Sequence, residues 1–295
     1  MQRLLAKSLA ALGIALLGTA AWSATTTFTA SYSGANGSAT CGTTYRISGV
    51  EPSDTAKRPV FLYMVGTTET YNNAQAMAAV NAMAAKGFVA AAIQYNSGSF
   101  GTCTDIGQKA ACIFKPASTT SAVSQLCSRA RADCSKGVVV AGFSQGSVIA
   151  TLAKNTEPRV RAAYGMGTHN AYSVYDLSAC MKAGKFTLPT SNLRIANGET
   201  DTFGGGIASA VRTSSQNVTG TSCGAGAYQC LATNGSGWIM IRGSQVSDLS
   251  ADHCYQRSVG DCIGSENSLD AKWKTGTDNW ALPANLNWLA GFATP

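Results

Sequence analysis

Histidine is nearly missing from this chain, with His169 and His253 the only two in 295 residues. None of the ten cysteines stands in a C-x-x-C pair. A zinc site draws on such ligands at short spacings, so no metal is expected. Charge is scarce too, at 13% of residues, and no cluster of lysine and arginine carries the net balance of +7. Diffuse positive charge favours solubility; it builds neither a nucleic-acid groove nor a patch for anionic membranes. The phosphate loop G-x-x-x-x-G-K-[ST] is absent, and no organic cofactor is expected. No internal repeat, charge run or linker divides the chain.

What is present is a large apolar fraction, 45%, enough for one sizeable core. The N-terminus sets Arg3 and Lys7 before an uncharged run, Leu9 to Leu17, and then the small residues around Ala21 to Ala24. That is the layout of a signal peptide cleaved after Ser23, its apolar centre too short to span a bilayer. The expectation is a leader over residues 1–23, a single catalytic domain over 24–295, and a secreted or periplasmic protein with no integral span after processing. All ten cysteines lie beyond the leader, an even number in an oxidising setting, so disulfides are expected. The pairing that closes the shortest loops joins Cys103 to Cys112, Cys127 to Cys134, Cys223 to Cys230 and Cys254 to Cys262, leaving Cys41 for Cys180.

Along the chain comes a Ser/Thr/Gly-rich segment, Thr25 to Gly49, whose alternation in TTTFTASYS suits an edge strand or a hairpin. Six compact apolar runs then have the length of buried strands: Pro59–Val65, Phe88–Tyr95, Gly137–Ala141, Val160–Tyr164, Leu193–Ala196 and Trp238–Ile241. Helical texture separates them over Asn72–Lys86, over Thr119–Ala132 and after Ser144. The alternation predicts an α/β fold, a mostly parallel central sheet with helices on both faces. Two long loops, 96–117 and 167–189, are candidates for the rim of a substrate site.

The pattern G-x-S-x-G occurs twice, at Gly142–Gly146 and Gly220–Gly224. It has chemical content only where a strand turns sharply into a helix, because the serine then projects on a strained bend and the glycines relieve the crowding. Ser144, between GVVVA and SVIATLA, meets that condition. Ser222, among glycines and cysteines, reads as part of a stapled loop. A serine hydroxyl also needs a base, and only His253 and His169 are available. An orienting carboxylate is offered by LRIANGETD, where Asp201 has Glu199 as rival. The order Ser144, Asp201, His253 is that of a triad carried on successive strand ends.

GFSQG after GVVVA resembles the nucleophile elbow of the α/β-hydrolase superfamily, in a version similar to secreted esterases and cutinase-like enzymes. NGETD resembles that family's acid turn, and DHCY its histidine loop. The resemblance runs from about Pro59 to Trp288; it departs where Val65-Gly66 replaces the common His-Gly and at the loop Cys223–Cys230. It implies a three-layer sandwich with Ser144, Asp201 and His253 catalytic, and oxyanion donors from the backbone amides of Thr67 and Gln145. Thr68, Phe143 and His169 are candidates for the substrate pocket. The implied activity is that of a monomeric carboxylic ester hydrolase, acting on small, lipidic or polymeric esters through an acyl-enzyme. A peptidase on the same fold and a catalytically silent binding protein are the alternatives.

Overall fold

In the computed structural model, residues 24–33, 41, 43–115, 118–188, 192–259, 262 and 264–294 are described. The expected leader over residues 1–23 lies outside them. The strands are β1 (Thr25–Tyr32), β2 (Tyr45–Pro52), β3 (Val60–Met64), β4 (Val89–Ile93), β5 (Val138–Phe143), β6 (Val160–Met166), β7 (Ala171–Tyr172), β8 (Tyr175–Asp176), β9 (Leu193–Gly198), β10 (Gln229–Leu231) and β11 (Gly237–Ile241). All but the small hairpin β7–β8 form one sheet in the order β1-β2-β4-β3-β5-β6-β9-β11-β10. From β4 through β3, β5, β6 and β9 to β11 the pairs are parallel. The outer pairs β1–β2, β2–β4 and β10–β11 are antiparallel. Each of the six compact apolar runs supplies one of the parallel strands.

Continuous apolarity has the reason expected of a sheet covered twice. Every residue of β3, β4, β5, β9 and β11 is buried. The helices are α1 (Ala74–Ala85), α2 (Cys103–Phe114), α3 (Ala122–Cys127), α4 (Gln145–Leu152), α5 (Ser178–Thr187), α6 (Ala208–Thr219), α7 (Ala271–Thr275) and α8 (Leu282–Ala290). One layer packs α1 against α8, with α7 beside α8; the other packs α4 against α2 and α5, and α5 against α6. The chain therefore has an α/β-hydrolase-like three-layer architecture.

Local chemistry starts these helices where it should. The Asn73 side chain accepts from the Ala76 amide to cap α1, and Thr102 and Asp105 form a reciprocal capping box on α2. Three expectations are corrected. The segment 96–117 is not a structureless loop, for α2 fills most of it, and 167–189 contains β7, β8 and α5. The helix expected over Thr119–Ala132 is only the short α3. The disulfides Cys103–Cys112 and Cys41–Cys180 do not form. Cys103 opens α2 and Cys112 lies nine residues on, about 13 Å along the axis, well beyond the roughly 7 Å that a disulfide spans. Instead Cys103 joins Cys180 on α5 and Cys112 joins Cys41, with Cα separations of 5.6 and 5.5 Å. The pairs 127–134, 223–230 and 254–262 form.

Candidate active site

Ser144 sits where β5 breaks into α4, with φ of 50°, a left-handed conformation costly for any residue bearing a side chain. Its amide donates to Met166 O at 2.8 Å, which holds the bend in place. The flanking glycines are required by close approach. A Cβ on Gly146 would lie 2.2 Å from Met64 O, and one on Gly142 would lie 2.3 Å from the Gly146 backbone.

His253 Nε2 lies 2.9 Å from Ser144 Oγ, across 109 residues of sequence. Its Nδ1 lies 2.8 Å from Asp201 Oδ2. Asp201 follows β9, and its other oxygen accepts the Phe203 amide at 3.0 Å. The parallel strands β5, β9 and β11 thus send all three side chains to one edge of the sheet. The imidazole packs on Phe143 and Phe203, with ring centroids 5.0 and 4.6 Å away, and the adjacent Cys254–Cys262 bridge ties down its loop.

Glu199, the rival acid, is engaged elsewhere. It accepts from the Tyr228 hydroxyl at 3.1 Å and from the Gly243 amide at 2.6 Å. Ser222 is exposed beyond the end of α6, with no strand leading in.

His169 lies away from its expected place. It is fully buried behind Asp201 rather than in the cavity wall, with Nε2 at 2.7 Å from the same Oδ2 and Nδ1 at 3.0 Å from Ser214 Oγ. Two imidazoles therefore share one carboxylate oxygen. Burial alone would push the Asp201 carboxyl up, but His169 and His253, by charge and by hydrogen bonding, hold it well below the usual carboxylate range. Donor atoms of these three residues all fall within 4.8 Å of one another. The nitrogens approach the oxygen at hydrogen-bond distance, tighter than ligands ranged around a shared ion, so the cluster reads as a proton-sharing contact.

Thr67 and Thr68 form the turn after β3, and Gln145 opens α4, where its amide has no acceptor within the helix. The side chains join the two segments, for Gln145 Nε2 donates to Thr67 Oγ1 at 3.0 Å. Three contributors went unread in the sequence. Glu69 accepts the Gly66 amide at 2.9 Å and pairs with the buried Arg257, and Lys109 reaches Gln145 Oε1 at 3.0 Å. Apart from Gly66, their partners are too distant in sequence for any local pattern to reveal, Arg257 standing 188 residues from Glu69.

A cavity of about 490 Å³ opens over Ser144 and His253, bordered by Thr67 and Thr68 and walled by Phe100, Phe143, Tyr172, Tyr175 and Phe203. Such a site can shelter an apolar group beside a strained hydroxyl and an imidazole.

The fold and its strained turn define an α/β-hydrolase-like protein. It is structurally similar to esterases over most of the chain. Esterase 2 of Thermogutta terrifontis, phosphonylated by sarin, superposes with a TM-score of 0.51 at 14% identity, over 86% of this chain and 93% of its own. Est1E from Butyrivibrio proteoclasticus aligns over 73% of this chain and 88% of its own at 12% identity, with a TM-score of 0.46. Esterase Est22 aligns over 60% of this chain at 15% identity and a TM-score of 0.40, and the chain spans just under two thirds, 65%, of that protein. At these identities the likeness is one of fold, and the first of the three carries it. No family model matches the chain, and no curated protein matches it in sequence.

Proposed function

We propose that the protein is a secreted carboxylic ester hydrolase that works through an acyl-enzyme on Ser144. The observation that supports this most is the unbroken contact from Ser144 Oγ through the His253 ring to Asp201 Oδ2, at 2.9 and 2.8 Å. His253 Nε2 takes the serine proton as Oγ attacks the ester carbonyl, and Asp201 holds the tautomer and steadies the imidazolium. The amides of Thr67 and Gln145 receive the charge developing on the carbonyl oxygen. His253 then returns its proton to the departing alcohol, and water releases the acyl group by the same steps in reverse.

The setting favours an ester presented at an apolar surface, polymeric or lipidic. Large apolar side chains stand exposed around the cavity mouth: Val174 at the tip of the β7–β8 hairpin, between the lining residues Ser173 and Tyr175, and Phe203 in the wall itself. Five disulfides agree with an oxidising compartment, and among the described residues no helix is long and apolar enough to cross a membrane.

The test is hydrolysis of short p-nitrophenyl esters, together with fluorophosphonate labelling read out by peptide mass. Ser144→Ala is expected to lose at least a thousandfold in kcat and all labelling, and Ser222→Ala to keep both. Activity that persists in Ser144→Ala sinks the reading, as does faster cleavage of peptide amides than of esters.

A further inference from the structure

α2 is fastened at both ends, by Cys103 to Cys180 and by Cys112 to Cys41. Between these points it carries Lys109, only 2% exposed. The Lys109 ammonium donates to Ser99 O at 2.5 Å, to Phe100 O at 2.9 Å and to Gln145 Oε1 at 3.0 Å, so all three N–H bonds are used. Gln145 in turn donates to Ser99 O at 2.9 Å and to Thr67 Oγ1 at 3.0 Å. Among the described residues, no carboxylate shares this contact. Burying an unpaired ammonium is costly, and an apolar side chain would fill the space more cheaply, unless three converging oxygens have to be held at one point.

What they hold is the pair of segments that supply the amides of Thr67 and Gln145, together with the backbone of Phe100, whose ring walls the cavity. We propose that Lys109 is a positioning residue for the oxyanion hole, its ammonium locking Gln145, and through it Thr67, against the 99–100 segment. The proposal rests on the reading of Ser144 as the nucleophile.

The contact has a built-in pH range. Burial pushes the Lys109 ammonium down to about 8, with Asp105 one turn earlier pulling it back up. Of the elements packed on α2, α3 and α4 hold no titrating group, α5 brings Lys182, and the turn 153–155 brings Lys154. Asp176 is the carboxylate beside Cys103, which contacts its carbonyl. Above about pH 8 the amine has two N–H bonds and a lone pair facing three acceptors, so one acceptor loses its donor. Catalysis should loosen there. Stability should not fall with it: the folded state disfavours the charged form, so the unfolded chain binds the extra proton between about 8 and 10.5, and this group's contribution to stability rises with pH.

The experiment measures kcat and KM for p-nitrophenyl butyrate from pH 6 to 9.5, with Tm in parallel, for the wild type, Lys109→Met, Gln145→Leu and the double variant. Wild-type kcat is expected to decline around pH 8 without a fall in Tm. Each single variant should lose 10- to 100-fold in kcat at pH 7, with KM within threefold and the decline abolished, and the double variant should lose no more than either. The proposal is overturned if Lys109→Met keeps the wild-type kcat, retains the decline near pH 8, or loses kcat and KM only in step with Tm. Should that variant not fold, a wild-type kcat in Gln145→Leu overturns it just as well, because the lysine acts only through that side chain. Retained activity in Ser144→Ala would instead remove the underlying reading, which keeps the two failures apart.

Discussion

At the scale of single residues, the site depends on atoms that have no room to move. Gly146→Ala places a methyl group against two backbone carbonyls of the β3 turn, Met64 O and Val65 O, which cannot swing aside as a flexible side chain would. We expect about 1–3 kcal/mol of lost stability and a larger fractional loss of activity, checked by urea unfolding beside ester turnover. His169 offers a subtler case. His169→Leu removes one of the two donors on Asp201 Oδ2 and lets burial act more fully on that carboxyl, raising it. A carboxyl held low in the folded state adds stability above its unfolded value, and that stability disappears as pH falls through the folded value. The variant should therefore unfold at a higher pH on acid titration followed by circular dichroism, and be about 1.5–3 kcal/mol less stable at neutral pH. His169→Gln, which can still donate near the old Nε2 position, should recover part of both. Ser144 and Asp201 can be picked out in the sequence because each stands at a strand end, and His253 because only one other histidine competes with it. The sequence misplaced His169, since nothing local distinguishes an imidazole in front of a carboxylate from one behind it.

At the scale of elements, the strands could be read and several helices could not, for a physical reason. A strand covered on both faces must be apolar throughout, as in VFLYM or VVVAGF, whereas α6, ASAVRTSSQNVT, buries only part of its surface and carries a polar sequence. β2, YRISGVEP, is hard to bound from its sequence because it lies in the antiparallel part of the sheet, with Arg46 on its open face. For α2 the signals were there: Thr102 and Asp105 at capping-box spacing, and Ile106, Ala110 and Ile113 along one buried stripe. Pairing cysteines by shortest loops hid them, because it required Cys103 and Cys112 to meet. The real pairing has an energetic consequence. The Cys41–Cys112 bridge closes a separation of 71 residues and Cys127–Cys134 one of 7. Replacing the long pair by alanines should cost ~4 kcal/mol against ~2.5 for the short pair, measured as urea midpoints under oxidising conditions. Slack in α2 should also lower kcat, and loss of the short bridge, which fastens neither end of α2, should leave kcat within about twofold.

At the scale of the whole molecule, ionisable groups divide by sign. The carboxyls of Glu51, Asp54, Asp105, Asp133, Asp176 and Asp201 are all held below their ordinary values, and Asp252 is pushed up, chiefly by burial. Glu51 shows how the balance is struck: burial raises it, but Arg129 and Arg131, at 2.8 and 2.9 Å, outweigh that and bind β2 to the segment after α3. With more carboxyls lowered than raised, the unfolded chain takes up more protons than the native one once pH drops through about 4.5. Stability must fall from there downward. On the alkaline side the groups oppose one another, since Lys86 and Lys109 are lowered while Tyr32, Tyr63 and Tyr172 are raised. The lowered lysines add stability as pH climbs above about 8, and the raised tyrosines withdraw it only above about 10. The urea midpoint should thus be level from about pH 5 to 8, rise modestly from there to about pH 10, and drop steeply in acid. Glu51→Gln should flatten the first part of that drop, because the variant has one fewer low-lying carboxyl to protonate. A Glu51→Gln curve parallel to the wild type throughout would show that the salt contacts on Glu51 do not tie β2 to the segment after α3.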